Sequence, residues 1–421
     1  MSAAHDGRSV TATTGDCENR PRELGRVHPS ASNRLRAVSL PAGAAFLRAL
    51  DDAWDAGDAV LPLAHDLPAA AAEAICAALR PHVLVDGDGV HPLKGGVAVE
   101  PGVAAVVATS GSTGAPKGVE LTHAALAASA DATIARLGLD ERDVWLCCLP
   151  VSHVAGLVVL LRARRAGGEV IMHARFDTDG VAAARGATVV SLVPTQLHRL
   201  LAAGADLARF RWILLGGAAP PPELLKRAAA AGARLVVTYG MTETCGGCVY
   251  DGIPLDGVEV DTDVDGHIRI RGATRFARYR LDDAGTAAAI GSSGWFLSGD
   301  LGGWDAAGRL MVTGRSDDVI ITGGENVTAG EVAAVLATHP AVAQVAVVGR
   351  ADSEWGQRVV AVVVPAGTPP TLEALRDWVG QRLPRSHAPS ELVLADVLPL
   401  LPGGKLDRRA LAASDPPSLS V

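Results

Sequence analysis

Excess basic charge, a membrane-length apolar run and a dense cysteine framework are all missing from this sequence, and each absence removes a class of function. Its 421 residues carry 38 Lys and Arg against 46 Asp and Glu, a formal net charge of −8. No basic cluster stands out, so the electrostatic footprint of a nucleic-acid binder or an anionic-membrane binder is lacking. The longest apolar runs, such as "VAGLVVLL" at 154–161, fall well short of the roughly 20 residues a spanning helix needs. Six cysteines scattered over a chain of this size make no disulfide framework and point to a reducing compartment. The first thirty residues mix charge, Ser, Thr and Pro without the apolar core of a secretory signal, so the expected location is cytoplasmic. "CGGC" at 245–248 has the spacing of a redox pair or half a zinc site. No second Cys/His pair at metal spacing accompanies it, which disfavours both roles.

What is present is an ordinary globular composition, 48% hydrophobic and 20% charged, long enough for more than one domain. Residues 1–35 read as a disordered tail. Between about Val103 and Thr238, short runs rich in Val, Leu and Ile ("AAVVATS", "DVWLCCL", "GEVIMH", "ATVVSLV", "RWILLGG", "ARLVVTYG") alternate with helical stretches near 122–136, 178–185, 194–203 and 221–232. That alternation predicts α/β layers around a largely parallel sheet. From Gly257 to Gly314, short segments separated by D-G, G-W and A-G turns predict a small β-rich subdomain. A new α+β unit follows. "TAGE" at 328–331 reads as a capping box opening a helix through His339, then come strands "VAQVAVVG" and "QRVVAVVVP" and the amphipathic helix "TLEALRDWVGQRL". The predicted fold is therefore α/β, with a large N-terminal domain of layered sheets (36–315) and a small mobile α+β C-terminal domain (316–421).

The run "TSGSTGAPKGVELTH" at 109–123 follows a predicted strand and precedes a predicted helix. Its glycines can let backbone N–H groups approach an anion, and its Ser and Thr hydroxyls add donors, which together make a phosphate cradle. It is not a Walker A loop, because Lys117 lies three residues after Gly114 and no Ser or Thr follows it. The run resembles the phosphate-binding signature of the adenylate-forming superfamily, which includes acyl-CoA synthetases, peptide-synthetase adenylation domains and luciferases. Six more stretches similar to that superfamily's motifs follow in its order: "LPVSHVAGL" (149–157), "LLGGAAPP" (214–221), "TYGMTET" (238–244), "GWFLSGDLG" (294–302), "GRSDDVIITGGEN" (314–326) and "GGKLDR" (403–408).

The resemblance implies ATP, Mg²⁺ and coenzyme A as reactants and assigns a role to each motif. Thr109, Ser110, Gly111, Ser112, Thr113, Gly114 and Lys117 would cradle the phosphates, and His153 would sit between the nucleotide and acyl pockets. Gly216, Gly217 and Ala218 would lie against the adenine and the acyl group. Tyr239 would stack on adenine, with Gly240 and Met241 beside it. Thr242 would contact the α-phosphate and Glu243 would ligate Mg²⁺ through the phosphates, where one carboxylate suffices. Asp300 would accept both ribose hydroxyls, and Arg315 would serve the ribose side. Asp317 would be the interdomain hinge, Gly323 and Gly324 would admit the pantetheine arm, and Lys405 would bridge acid and nucleotide during adenylation.

Short members of the superfamily include the o-succinylbenzoate–CoA ligases of menaquinone biosynthesis, which "SLVPTQLHRLL" (191–201) and "TYGMTETCGGCVYDGIPLDGVEV" (238–260) resemble. On that likeness Thr195, Gln196, Arg199, Gly240, Cys245, Gly246 and His153 would line the acid pocket. Thr195, Gln196 or Arg199 would meet the second carboxylate, with no choice among them. The alternatives are a CoA ligase for another aryl or acyl acid, or an acyl-AMP ligase serving a carrier protein; a nonenzymatic nucleotide binder is disfavoured by Lys405 and Glu243. The expected partners are small molecules, with no nucleic acid and no membrane span, and the oligomeric state, a homodimer included, stays open. In one departure, "FARYRLDD" (276–283) lacks the Gly-Tyr pair usual before the ribose aspartate and keeps Tyr279 alone.

Overall fold

The computed structural model describes residues 32–110, 116–399 and 406–412. The chain divides into two compact units, the first drawn from residues up to 217, 227–260 and 270–296, the second from 218–226, 261–269 and 297 onward.

Two seven-stranded sheets organise the first unit. One runs in the order Arg278–Tyr279, Pro116–Thr122, Val103–Ser110, Ala59–Pro62, Leu35–Val38, Val83–Asp86, Gly89–Pro92. The other runs Ile253–Pro254, Gly246–Tyr250, Leu235–Met241, Trp212–Leu215, Val189–Leu192, Val144–Cys147, Glu169–Met172, and its last five strands are parallel. Strands such as Val189–Leu192, buried at every residue, read as unbroken apolar runs because a parallel sheet is covered on both faces. The helix His123–Leu137 starts where the Thr122 hydroxyl accepts from the Ala125 N–H at 3.0 Å and stops at Gly138 with φ 62°, a side-chain N-cap and a left-handed C-cap.

Several expectations need correction. Leu35, assigned by sequence to the tail, opens a strand and is fully buried. Residues 116–122, given no element by the sequence, form a strand: Pro116–Thr122 returns antiparallel along Val103–Ser110, and the helix expected near 122–136 follows as His123–Leu137. The run 154–161, assigned to no element by the sequence, belongs to a helix, Val154–Ala166, with nine buried residues spread around its circumference. Apolar on every side over its first eight residues, the helix carries no amphipathic period there to detect.

The second unit holds the antiparallel ladder of Phe296–Trp304 with Leu310–Arg315 and a five-stranded sheet. That sheet is ordered Glu325–Thr328, Val319–Thr322, Gly356–Pro365, Val342–Asp352, with Glu391–Leu394 also beside Gly356–Pro365. Val332, Leu336, Leu375 and Val379, from the helices Ala329–Leu336 and Leu372–Gly380, pack with Ile320, Val347 and Ala361 into its core. Thr328 is the N-cap of the first of these helices, but its side chain makes no capping hydrogen bond, and the helix ends at Leu336 instead of His339. The expected capping box is therefore absent. Among the described residues no helix is long and apolar enough to cross a membrane.

Candidate active site

The antiparallel hairpin closes the glycine-rich loop at its base, where Ser110 faces Pro116 and the Thr109 hydroxyl donates to the Lys117 carbonyl at 3.3 Å. Gly111, Ser112, Thr113 and Gly114 lie outside the described residues. Lys117 projects its ammonium over the Tyr279 ring, 3.3 Å from the centroid, and 3.7 Å from a carboxylate oxygen of Asp282.

The strand Leu235–Met241 carries Tyr239, half-buried, into a tight reversal at Thr242–Thr244. Gly240 permits the reversal: a Cβ there would lie 2.1 Å from the Gly246 carbonyl oxygen on the returning strand. The Thr244 hydroxyl ties the turn together, accepting from the Met241 N–H at 2.9 Å and donating to the Gly246 carbonyl at 2.7 Å. Thr242 and Glu243 are thereby left half-buried on the outer side of the turn. One oxygen of Glu243 accepts from the Tyr279 hydroxyl at 3.0 Å. Its other oxygen accepts no hydrogen bond among the described residues, so the carboxylate fits the single-ligand role expected of it toward a magnesium polyphosphate.

Gly216 and Gly217 follow the strand Trp212–Leu215, the Gly216 N–H donating to the Leu192 carbonyl at 3.1 Å; Ala218 is counted with the second unit. His153 is the exposed residue before the first turn of Val154–Ala166.

On the helix Pro194–Ala202 the candidates for the second carboxylate fare unequally. Thr195 and Arg199 are exposed, whereas the Gln196 side-chain oxygen already accepts the Val193 N–H at 3.0 Å, capping its own helix. The residue the sequence reading missed is Arg162. It lies in the interior of Val154–Ala166, is only 3% exposed, and its Nε and Nη2 have no hydrogen-bond partner among the described residues. A Cβ built at Gly246 would meet Arg162 Nη2 at 3.7 Å, so the guanidinium borders the Cys245–Gly246 segment. A signal was present in the sequence: an arginine interrupting an apolar run is a charge that needs a buried partner.

Cys245 and Cys248 are fully buried free thiols, and burial pushes both well up from the ordinary range, that of Cys248 to about 12. Neither is poised as a thiolate ligand or nucleophile.

In the second unit the expected ribose pair is assembled. Asp300 and Arg315 are cross-strand partners, and Arg315 Nη1 donates to the Asp300 carboxylate at 3.2 Å. The Ser298 hydroxyl accepts the Asp300 N–H at 3.1 Å and donates to the Ile268 carbonyl at 2.8 Å, fixing the backbone beneath the acid. Asp317 falls in the turn Ser316–Asp318, and Ser316 holds that turn to the Gly299 carbonyl at 3.0 Å. Gly323 and Gly324, with φ of 57° and 83°, form the two-residue turn of the hairpin Val319–Thr322/Glu325–Thr328, a conformation that favours glycine at both positions. Lys405 lies outside the described residues.

Comparison with known proteins decides the family. Residues 96–269 match the model of the AMP-binding enzyme and residues 331–405 that of the AMP-binding enzyme C-terminal domain. A probable 2-succinylbenzoate–CoA ligase of Mycobacterium tuberculosis is 42% identical over 398 residues, 90% of this chain and 97% of the relative. The chain belongs to the AMP-binding enzymes. A 2-succinylbenzoate–CoA ligase of Bacillus cereus is 36% identical over 333 residues, 73% of this chain and 69% of that one. Among solved structures, this AMP-binding enzyme is similar to the o-succinylbenzoate CoA synthetase of Bacillus subtilis in complex with the acyl-adenylate intermediate OSB-AMP, with 28% identity, a TM-score of 0.80, and 91% and 89% of the two chains covered. The same synthetase in complex with ATP and magnesium ion matches with a TM-score of 0.79 and 28% identity, covering 93% and 92%. The layered α/β fold with a large N-terminal and a small C-terminal part, expected from the alternation of apolar runs and helical stretches, is the fold of these enzymes.

Proposed function

We propose that this enzyme activates 2-succinylbenzoate with ATP as an acyl adenylate and transfers the acyl group to coenzyme A, releasing pyrophosphate and AMP, in menaquinone biosynthesis. Family membership and the named relatives support the ligase reaction, and one observation supports the acid: the buried guanidinium of Arg162, two of whose nitrogens find no partner among the described residues, beside Cys245 and Gly246. A cation left unpaired in the interior is costly, and a carboxylate is its natural complement. 2-Succinylbenzoate has one carboxylate to react and a second to recognise. Within the runner-up class, another aryl or acyl acid, any acid with a single carboxylate would leave Arg162 without that complement.

In the first half-reaction a carboxylate oxygen attacks the α-phosphorus of ATP and the bond to pyrophosphate breaks. Two anions must meet, so the barrier is largely electrostatic. Lys117 and the backbone N–H groups of the loop supply positive potential at the phosphates, and Lys405 supplies it between acid and nucleotide. Asp300 and Arg315 hold the ribose, Tyr239 the adenine. Mg²⁺, held through Glu243 and phosphate oxygens, would neutralise the leaving pyrophosphate. In the second half-reaction the thiol attacks the acyl carbonyl and AMP leaves. Residues 316–421 then act as a lid turning about Asp317, withdrawing Lys405 and bringing Gly323 and Gly324 to the pantetheine path. The five described cysteines are free, which accords with a cytoplasmic setting.

The test is a product assay with ATP, Mg²⁺, CoA and a panel of acids, run on wild type and Arg162→Met. Wild type should form o-succinylbenzoyl-CoA selectively. The variant should lose about a hundredfold in kcat/KM for 2-succinylbenzoate and little for benzoate, the size of one charged hydrogen-bonded contact. Equal losses on both acids would remove Arg162 from substrate recognition, and preference for a monocarboxylic acid would overturn the substrate.

A further inference from the structure

The two-residue strand Arg278–Tyr279 lies antiparallel to Pro116–Thr122, with Tyr279 opposite Val119 and Arg278 opposite Glu120. Backbone bonds on either side fix it there: Ala277 N–H to the Glu120 carbonyl at 2.9 Å and Arg280 N–H to the Gly118 carbonyl at 2.8 Å. The Tyr279 N–H donates to the Thr286 hydroxyl at 2.9 Å, and its ring packs on Phe276 with centroids 4.8 Å apart. The side chain, 6% exposed, is therefore held from its backbone and from one ring face. It meets charges of opposite sign in two places. Its hydroxyl donates to one oxygen of Glu243 at 3.0 Å, and the Lys117 ammonium stands over its ring at 3.3 Å while also facing Asp282 at 3.7 Å.

We propose that Tyr279 is a positioning residue for the adenylation step, joining the acidic turn at Glu243 to the phosphate-loop lysine. Its hydroxyl engages one carboxylate oxygen of Glu243 and leaves the other for the metal. Its ring face, with Asp282, keeps Lys117 ordered beside the same nucleotide, using a cation–π contact as the holding interaction. One aromatic side chain thus prepares both positive contacts of the triphosphate, the metal and the lysine, before ATP arrives. Preorganisation of this kind lowers the ordering cost of binding. The inference rests on the proposed role of Glu243 toward Mg²⁺.

Calorimetric titration of ATP into the full chain, without acid or CoA and in the presence of either Mg²⁺ or EDTA, separates the two contacts. Tyr279→Phe keeps the ring and removes only the hydroxyl. It should weaken binding of magnesium ATP about tenfold and leave metal-free ATP within about twofold, with an unchanged melting temperature. Tyr279→Leu should weaken metal-free ATP as well, because the lysine loses its platform. In a Glu243→Gln background the hydroxyl has no carboxylate to orient, so Tyr279→Phe should add nothing. Equal weakening of magnesium and metal-free ATP by Tyr279→Phe, or an undiminished effect in the Glu243→Gln background, would overturn the positioning role. If Glu243→Gln alone leaves the magnesium dependence intact, the failure lies in the reading of Glu243, which that single variant reports separately.

Discussion

Asp300 and Arg315 face each other across an antiparallel ladder, and the guanidinium donates to the carboxylate at 3.2 Å while Arg315 stays half exposed and Asp300 is buried. A buried carboxylate paired with a cross-strand arginine can accept from two vicinal hydroxyls at once. Asp300→Ala should raise the KM for ATP by about a thousandfold, two charged hydrogen bonds being lost, and lower kcat far less. The sharper readout is discrimination. Wild type should prefer ATP to 2′,3′-dideoxy-ATP strongly, and the variant should treat them nearly alike. A variant that kept the preference would show that Asp300 does not read the ribose.

Lys405 is assigned to one half-reaction only, so its loss should divide the activity. Lys405→Ala should abolish pyrophosphate release from ATP and acid, yet still convert supplied acyl adenylate and CoA to thioester. Parallel loss of both steps would contradict the assignment. Asp317→Pro should show the reverse bias, slowing thioester formation more than adenylation because a proline in the 316–318 turn resists the dihedral changes a hinge absorbs.

The strand carrying Tyr279 is anchored by a buried ion pair. Arg280 Nη1 meets a Glu120 oxygen at 3.0 Å, its Nε donates to the Leu79 carbonyl at 2.6 Å, and a further donor reaches the Val97 carbonyl. Burial pushes the Glu120 carboxyl up even with Arg280 beside it. Arg280→Met strands that acid and several carbonyls, and should cost about 3–5 kcal/mol in urea unfolding at neutral pH. Pairing it with Glu120→Gln should recover part of the loss, since the second change removes the uncompensated charge. A single-variant cost within about 0.5 kcal/mol, typical of surface sites, would mean that water reaches the pair.

How much of this was legible in the sequence depended on whether the information was local. Val189–Leu192 and Trp212–Leu215 were readable because a strand covered on both faces is an uninterrupted apolar run. The family was readable because each of its motifs is a short contiguous phrase, and Asp300 and Arg315, assigned separately, arrive as cross-strand partners. The strand Pro116–Thr122 was not readable: Lys117, Gly118 and Glu120 look like loop, and the reason Glu120 is buried is an arginine 160 positions away. The helix Val154–Ala166 hid for the opposite reason, its first eight residues being apolar all round, and with it Arg162 escaped notice. Thr328 had the wording of a cap without the geometry, because propensity states what a side chain can do and tertiary context decides whether it does.

His123 supplies a test of the fold by pH. Its ring stands edge to face with Trp54, centroids 5.0 Å apart, and its Nδ1 is buried without a partner among the described residues. Burial pushes its pKa down from 6.5 to about 4. Between those two values the unfolded chain binds a proton that the folded chain refuses, so stability must fall as the pH drops through 6.5 and level off below about 4. The integrated loss from this one group is about 3 kcal/mol. His123→Phe preserves a ring against Trp54 and removes the proton site. Other histidines with lowered pKa values, His82 and His173, act in both proteins and cancel in the comparison. Denaturant unfolding of the two proteins from pH 7 to pH 4 should therefore give a difference in stability that shifts steadily in favour of the variant on acidification. A difference that stayed constant across the range would mean that folded His123 takes up its proton normally and that its pocket is wet.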